Sequence, residues 1–231
     1  MPKKNKQSKH RATTSLRDVI LGGQDGLVNV LGLTLGLFAA SAGSHLILVA
    51  GIAAALAESI SMGAVVYTSS LAERDFFVKS KQDAKVEIAE NPEEAKQILY
   101  DAYKSQGFEG ALLDDMVTYL IAHEDAWADR IVRDGFKVRE VHTKHLIFSS
   151  VVVAVSAIVG SVLPLLPFMF FSSSIAMVLA LFLSAGILFI AGAYQAFTLV
   201  GSWWKTGFQM LVIGMISAFA GFLAGLILKG K

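Results

Sequence analysis

Asp25 and Glu58 are the two side chains best placed to do chemistry, because each is the only charged residue in a long apolar stretch. A carboxylate in hydrocarbon costs roughly 2.5–3.5 kcal/mol on insertion scales, so it normally faces a bundle interior or a water-filled path. Such a group can bind a cation, carry a proton or pair with a base. The apolar stretches hold no Lys or Arg, which leaves the last option without a partner. Asn29 lies one helical turn beyond Asp25 and adds an amide oxygen to the same face. Met62 follows Glu58 by four positions, so the two stack on one face of a helix, with Ser61 beside them. A thioether next to carboxylates suits a transition metal, since alkali and alkaline-earth ions take oxygen alone. Methionine is also ordinary packing material. The candidate pathway is therefore Asp25, Asn29, Glu58, Ser61 and Met62, with Asp25, Glu58 and Met62 as metal ligands.

A second group of acids lies in a polar stretch. Glu87, Glu90, Glu93 and Glu94 are closely spaced, and Glu87 and Glu90 share a helical face. Carboxylates at that spacing can collect divalent cations, although a solvated charged face explains such spacing more often. Glu87 and Glu90 are the candidate metal ligands here. Around Asp25, Gly22, Gly23 and Gly26 predict a thin, easily kinked helix with exposed carbonyls.

These residues need elements to hold them. Apolar stretches run over about Val19–Ala42, Leu46–Leu71, Leu146–Phe171, Ile175–Val200 and Thr206–Leu228, each 23 to 26 residues long. A helix needs roughly 20 residues to cross a bilayer core of about 30 Å. The chain has 231 residues, is 54% hydrophobic and has a mean hydropathy of +0.57, more than a soluble core of this size requires. The expected fold is all-α: a polytopic membrane protein with five transmembrane helices and a small helical cytosolic insert between the second and third. Residues 1–16 form a basic arm, 17–71 the first two membrane helices, 72–145 the insert and 146–231 the last three.

Net charge is +1, but 16 of 19 acids fall between Glu73 and Glu140, while the first 17 residues carry six Lys/Arg and no acid. Beside a membrane helix that basic arm is a topology signal or a lipid contact rather than a nucleic-acid site, and it places the amino terminus in the cytosol. The first apolar stretch is too long for a cleavable signal and carries an acid. Cysteine is absent, so neither disulfides nor thiolate metal sites arise. Within the insert, Leu71–Glu90 continues the second helix. Asn91-Pro92-Glu93-Glu94 starts another with Asn as N-cap, and Gly107 stops it. A further helix or two covers Ala111–Arg133, with Leu112, Leu113, Met116, Leu120 and Ile121 as the buried stripe, and Gly135 ends it. Gly32 with Gly36, and Gly221 with Gly225, are GxxxG pairs that suit either packing within one subunit or a dimer seam. Pro164 and Pro167 end the third membrane helix. Trp203 and Trp204 suit a membrane interface.

Arg17-Asp18-Val19-Ile20-Leu21-Gly22-Gly23-Gln24-Asp25-Gly26-Leu27 resembles the first helix of the vacuolar iron transporter family. Ser61-Met62-Gly63 with Tyr67 and Glu73, and Gly207-Phe208-Gln209-Met210 with Ile213-Gly214, extend the resemblance over nearly the whole chain. The resemblance implies a homodimer that moves ferrous iron, sometimes manganese, out of the cytosol against protons. Asp25 and Met62 then take the positions of the pathway carboxylate and thioether, and the cargo Fe2+ or Mn2+ is substrate rather than cofactor. The membrane is a plasma membrane or a vacuole-type one. The family's insert holds metal through ExxE pairs, a methionine pair and an acid in its last helix. Here Glu87 aligns with one pair member but its partner is Ala84. The expected glutamates after Pro92 fall on Ala95 and Ile98, the methionines fall on Ile131 and Val132, and Asp134 is the nearby acid. A weakened cytosolic metal store is expected.

Two other classes are weighed. A transport-inactive scaffold or regulator, with the insert as a protein-binding module, leaves an intramembrane acid as an unused cost. An enzyme has no support: HExxH, GxSxG and phosphate-loop motifs are absent, and His10, His45, His123, His142 and His145 are scattered at segment edges.

Overall fold

The computed structural model describes residues 3–136, 143–198 and 201–229, with the backbone alone over 3–14 and 143–145. Among the described residues all regular structure is helical: α1 (Lys3–Ala39), α2 (Ser44–Glu90), α3 (Pro92–Lys104), α4 (Ala111–Ile121), α5 (Glu124–Arg130), a π turn (Ile131–Gly135), α6 (Thr143–Val162), a 3-10 turn (Leu163–Leu165), α7 (Leu166–Phe170), α8 (Ser173–Thr198) and α9 (Trp203–Lys229). Five segments among the described residues are long and apolar enough to cross a membrane: Ser15–Ala39, Ser44–Glu90, Leu146–Phe170, Ser173–Thr198 and Trp203–Lys229. These are the five expected stretches. His142 lies outside the described residues.

The chain divides into two compact units, residues 1–67 with 147–231, and residues 68–146. In the first, α1, α8 and α9 pack around Leu31, Leu35, Ala176, Ala180 and Ala218. Both GxxxG pairs meet each other here. A Cβ at Gly221 would stand 2.3 Å from the Gly32 carbonyl oxygen, and one at Gly225 would stand 2.0 Å from that of Gly36. The glycines thus serve packing of α1 on α9 within one chain, which decides between the two roles their spacing allowed. The prolines do not end the third span as expected: α6 stops at Val162, but the helical path continues through both of them to Phe170. Pro164 sits in the 3-10 turn and Pro167 in the first turn of α7, which stops at Phe170. Trp203 and Trp204 stack edge-to-face with each other and with Phe189, centroids 5.4–6.4 Å apart, and stay more than half exposed, as interfacial indoles do.

The link from α1 to α2 is tight. Ser41, at φ 67°, takes the left-handed position after the helix, and the amides of Ser41 and Ala42 bond back to Phe38 and Leu37. That is a Schellman closure, which satisfies carbonyls the helix end would leave orphaned. Helix α2 has 47 residues, about 70 Å at 1.5 Å per residue, far beyond a bilayer core of about 30 Å.

In the second unit the amphipathic α3 buries Ala95, Leu99 and Tyr103 at four-residue intervals. They pack on Phe77 and Ala84 from the end of α2, Leu113 and Val117 from α4, and Trp127 and Ala128 from α5. Two details depart from expectation. Leu112 is 59% exposed, whereas Val117 is fully buried, because each residue turns a helix by about 100° and the inward row runs through Leu113 and Val117. Asn91 occupies the N-cap position, but its side chain makes no cap bond; its amide instead donates to Glu87 on the preceding helix, at 3.1 Å. Lys81 and Lys85 bridge to Asp129 and Asp125 at 2.8 and 2.7 Å, fastening α2 to α5 on an exposed face. The Lys85 ammonium holds the Asp125 carboxyl below its usual range. A lowered carboxylate stabilises the fold above its ordinary titration range and loses that contribution as pH falls through the lowered value. Being exposed, this pair contributes little and is screened by salt. Leu99→Ala is expected to cost about 2–5 kcal/mol, checked by denaturant unfolding of the full chain.

Candidate functional site

The pathway residues come from the interface of α1 and α2. Leu48 and Ala55 of α2 pack with Val30 of α1 and with Leu165, and Ile47 joins the cluster around Leu31. That packing fixes the facing edges. Asn29 Nδ2 donates to Glu58 Oε1 at 2.5 Å. A carboxylate only accepts, so the amide nitrogen faces Glu58 and the amide oxygen is left free for another partner. The Asp25 carboxyl, one turn before Asn29, is near enough to Glu58 for the two groups to act on each other. Two carboxyl groups and one amide are thereby gathered from two helices, inside two of the spans. Met62, one turn further along the Glu58 edge of α2, is half-buried, while Ser61 is exposed. Ser59 is buried and bonds to the Ala55 carbonyl, so it serves the helix rather than the cluster.

The glycines around Asp25 behave differently from the expectation of a kinked helix with bare carbonyls. Helix α1 is unbroken through them. A Cβ at Gly22 would lie 2.3 Å from the Val153 oxygen, one at Gly26 would lie 2.3 Å from that of Ala157, and one at Gly160 would lie 2.0 Å from that of Gly23. The missing side chains let α6 lie directly on α1, and Gly160 covers the Gly23 carbonyl. Sequence reading missed this interface, although Val153, Ala157, Gly160 and Ser161 form a run at helical spacing that is mostly small. It also missed Ser149, whose hydroxyl donates to Asp18 at 2.5 Å across the same pair of helices. Gln24, adjacent to Asp25 in sequence, turns elsewhere and lines an apolar crevice of about 310 Å³ with Val19, Leu27, Val159 and Leu188.

Three faces of α1 therefore have three tasks. Gly22, Gly23 and Gly26 take α6, Gly32 and Gly36 take α9, and Asp25 with Asn29 takes Glu58. The position of Asp25 depends on backbone contacts, which leave α1 little room to shift.

The second candidate group is not assembled in the same way. Glu87 accepts from Asn91, and Glu90 is exposed at the end of α2. Among the described residues, no three His, Asp or Glu side chains cluster in a way that suits a metal ion. Ala84, Ala95, Ile131 and Val132, which stand where the resemblance expects partners for Glu87 and a methionine pair, are fully buried in the apolar core, and Ile98 packs against it. Asp134 accepts from Arg130 at 3.0 Å. His123 Nδ1 lies 2.9 Å from the Tyr119 carbonyl, and His45 is exposed.

Comparison with known proteins agrees with the membrane architecture. Vacuolar iron transporter 1 of Arabidopsis thaliana is 28% identical over 208 residues, which is 90% of this chain and 83% of that protein. Vacuolar iron transporter 1 of Eucalyptus grandis is 27% identical, covering 94% of this chain and 88% of its own length. The vacuolar iron transporter of Plasmodium falciparum is 25% identical over 94% of this chain and 83% of its own. The VIT family model matches residues 16–226, a span that takes in all five apolar helices and every residue of the α1–α2 cluster, and so this chain belongs to the VIT family.

Proposed function

We propose that this chain is a transporter that moves ferrous iron, and manganese, out of the cytosol across a vacuole-type membrane. The observation that carries the reading is the Asp25–Asn29–Glu58 cluster, a polar site between two apolar spans. Oxygen donors there can replace part of the hydration shell of a dication, and Met62 adds a soft donor one turn away. The relatives' names supply the metal. A pair of carboxyl groups that releases protons when a cation enters suits exchange of metal for protons. The basic arm supports a cytosolic amino terminus, and with it a cytosolic insert.

The same cluster supports a homodimer. Asn29 is exposed in the single chain, on a flank that hydrocarbon would otherwise cover. Leaving a hydrogen-bonded amide and carboxylate against lipid is costly, and a second copy covering that flank removes the cost while enclosing a path.

Glu87 and Glu90 are assigned a weak contact with metal rather than a collecting site. The positions that would complete such a site are occupied by the core that holds the insert together, so its folding needs no metal. Chelator treatment of the full chain is expected to leave the unfolding of the insert unchanged, read by loss of protection at Leu99 and Val117 in hydrogen exchange. Isolated residues 73–144 are expected to bind iron weakly by calorimetry, and tight binding at several sites would contradict the assignment.

The transport reading is tested by uptake into liposomes containing the purified protein. Iron, manganese, cobalt and zinc are compared with and without a pH gradient. Metal accumulation that depends on the protein and is driven by the gradient is expected; no protein-dependent flux of any of the four sinks the proposal.

A further inference from the structure

We propose that Glu58, held in place by Asn29, is the residue that sets metal preference in this chain, turning the pathway site toward hard dications such as Mn2+. The inference rests on the transport reading above and deepens it.

The donor set decides what a site prefers. Asp25 with Met62 alone would be one carboxylate and one thioether, a mixed site leaning toward the softer first-row ions. Glu58 changes that balance. Its carboxyl is held against α1 by Asn29, one turn from Asp25, so a cation between the helices meets two anionic groups. Mn2+ has no strong ligand-field preference to be met by nitrogen or sulfur and is served by carboxylate, carbonyl and water. The second carboxylate therefore benefits Mn2+ more than it benefits Co2+.

Asn29 makes this possible by fixing the carboxylate. Its amide nitrogen occupies Glu58 Oε1 at 2.5 Å, leaving Oε2 as the oxygen available to a cation. A flexible glutamate in a membrane helix would otherwise lose rotamer freedom on binding, and a second helix that already holds one oxygen removes part of that cost. The amide oxygen of Asn29, not used by Glu58, remains a further neutral oxygen donor. Asn29 is thus a positioning residue for Glu58 and Glu58 is the specificity determinant, while Met62 pulls in the opposite direction. Ser61, exposed beside Met62, has no part in the balance.

The test measures Mn2+ and Co2+ affinities of the purified full chain by equilibrium dialysis, alongside thermal unfolding to confirm folding. Glu58→Gln keeps the shape and the contact with Asn29 but removes the charge. It is expected to weaken Mn2+ by roughly 10- to 100-fold, the range seen when a ligand loses its support, and Co2+ several-fold less. Asn29→Ala is expected to shift the Mn2+/Co2+ ratio the same way but less, by roughly tenfold in Mn2+ affinity. Met62→Leu is expected to shift it the other way. Equal weakening of both metals in folded Glu58→Gln, or no change in either, overturns the proposal, since a purely structural glutamate would not move the ratio. Should Glu58→Gln fail to fold, Asn29→Ala and Met62→Leu carry the test alone: ratios moving in opposite directions support it, and ratios moving together overturn it. Asp25→Asn separates the two levels. If it leaves binding of both metals intact, the pathway itself is wrongly placed, whatever Glu58 does.

Discussion

Asp25→Asn is expected to abolish metal flux while leaving the five-helix unit folded. Asparagine keeps the volume and removes the charge, so packing of α1 is undisturbed. The neighbours that hold this stretch are backbone atoms of α6, which meet Gly22, Gly23 and Gly26 rather than Asp25 itself. The expected loss is more than roughly 100-fold in uptake rate, beyond the 10- to 100-fold cost of deleting an outer partner of a metal ligand. Unfolding temperature is expected to stay level or rise, since a carboxylate in an apolar span opposes folding when its cation is absent. Uptake by liposomes and growth of a metal-sensitive host report the first effect, and thermal unfolding in detergent reports the second. Normal transport by both Asp25→Asn and Asp25→Ala would remove this residue from the path.

Gly160→Leu gives the second large effect, by a different physical route. Even the first carbon of the new side chain would stand 2.0 Å from the Gly23 oxygen, and that obstacle is backbone, which cannot swing aside as a side chain can. Overpacking in a well-filled core costs about 1–3 kcal/mol where side chains can adjust, so a backbone clash should sit at or above the top of that range. The helices must separate, and Gln24 and Asp25 move with the displaced strip of α1. Lower unfolding temperature and lost transport are expected together, in contrast to the separation of the two in Asp25→Asn. Gly225→Leu is expected to do the same through Gly36, at the far end of α1, with its main effect on stability. Gly186, where an added Cβ meets nothing within 4 Å, is the control: Gly186→Ala is expected to be tolerated.

Much of this architecture was legible from residue type alone. Five apolar stretches announce five helices because a bilayer leaves the backbone little choice but to satisfy itself within each span. The intramembrane acids were legible for the same reason, since their cost makes them conspicuous. What their spacing did not disclose was partnership across helices. Asn29 lies on the Asp25 face of α1 by simple periodicity, yet its bond to Glu58 depends on how α1 and α2 lean together, which periodicity within one helix does not encode. Gly22, Gly23 and Gly26 carry a signal that suggests flexibility but in this membrane helix means close approach, and the companion signal in α6 is hidden by the presence of only one glycine among residues of other types. In the insert, Leu113, Met116, Leu120 and Ile121 hold the expected inward side, and only Leu112 at its edge turns outward while Val117 turns in, since neighbouring positions differ by about 100°.

The brevity of the connection at residues 40–43 also bears on how this protein can be rebuilt. Closed by Ser41 and Ala42 on the last turn of α1, it makes α1 and α2 a hairpin whose two arms cannot slide past each other by a full turn. Asn29 and Glu58 are therefore brought opposite one another by the chain itself, at high effective concentration, before any metal arrives. Opening the polypeptide at this corner, as a split or circularly permuted version would, gives up that registration. A longer flexible joint there would keep the helices and blur the site.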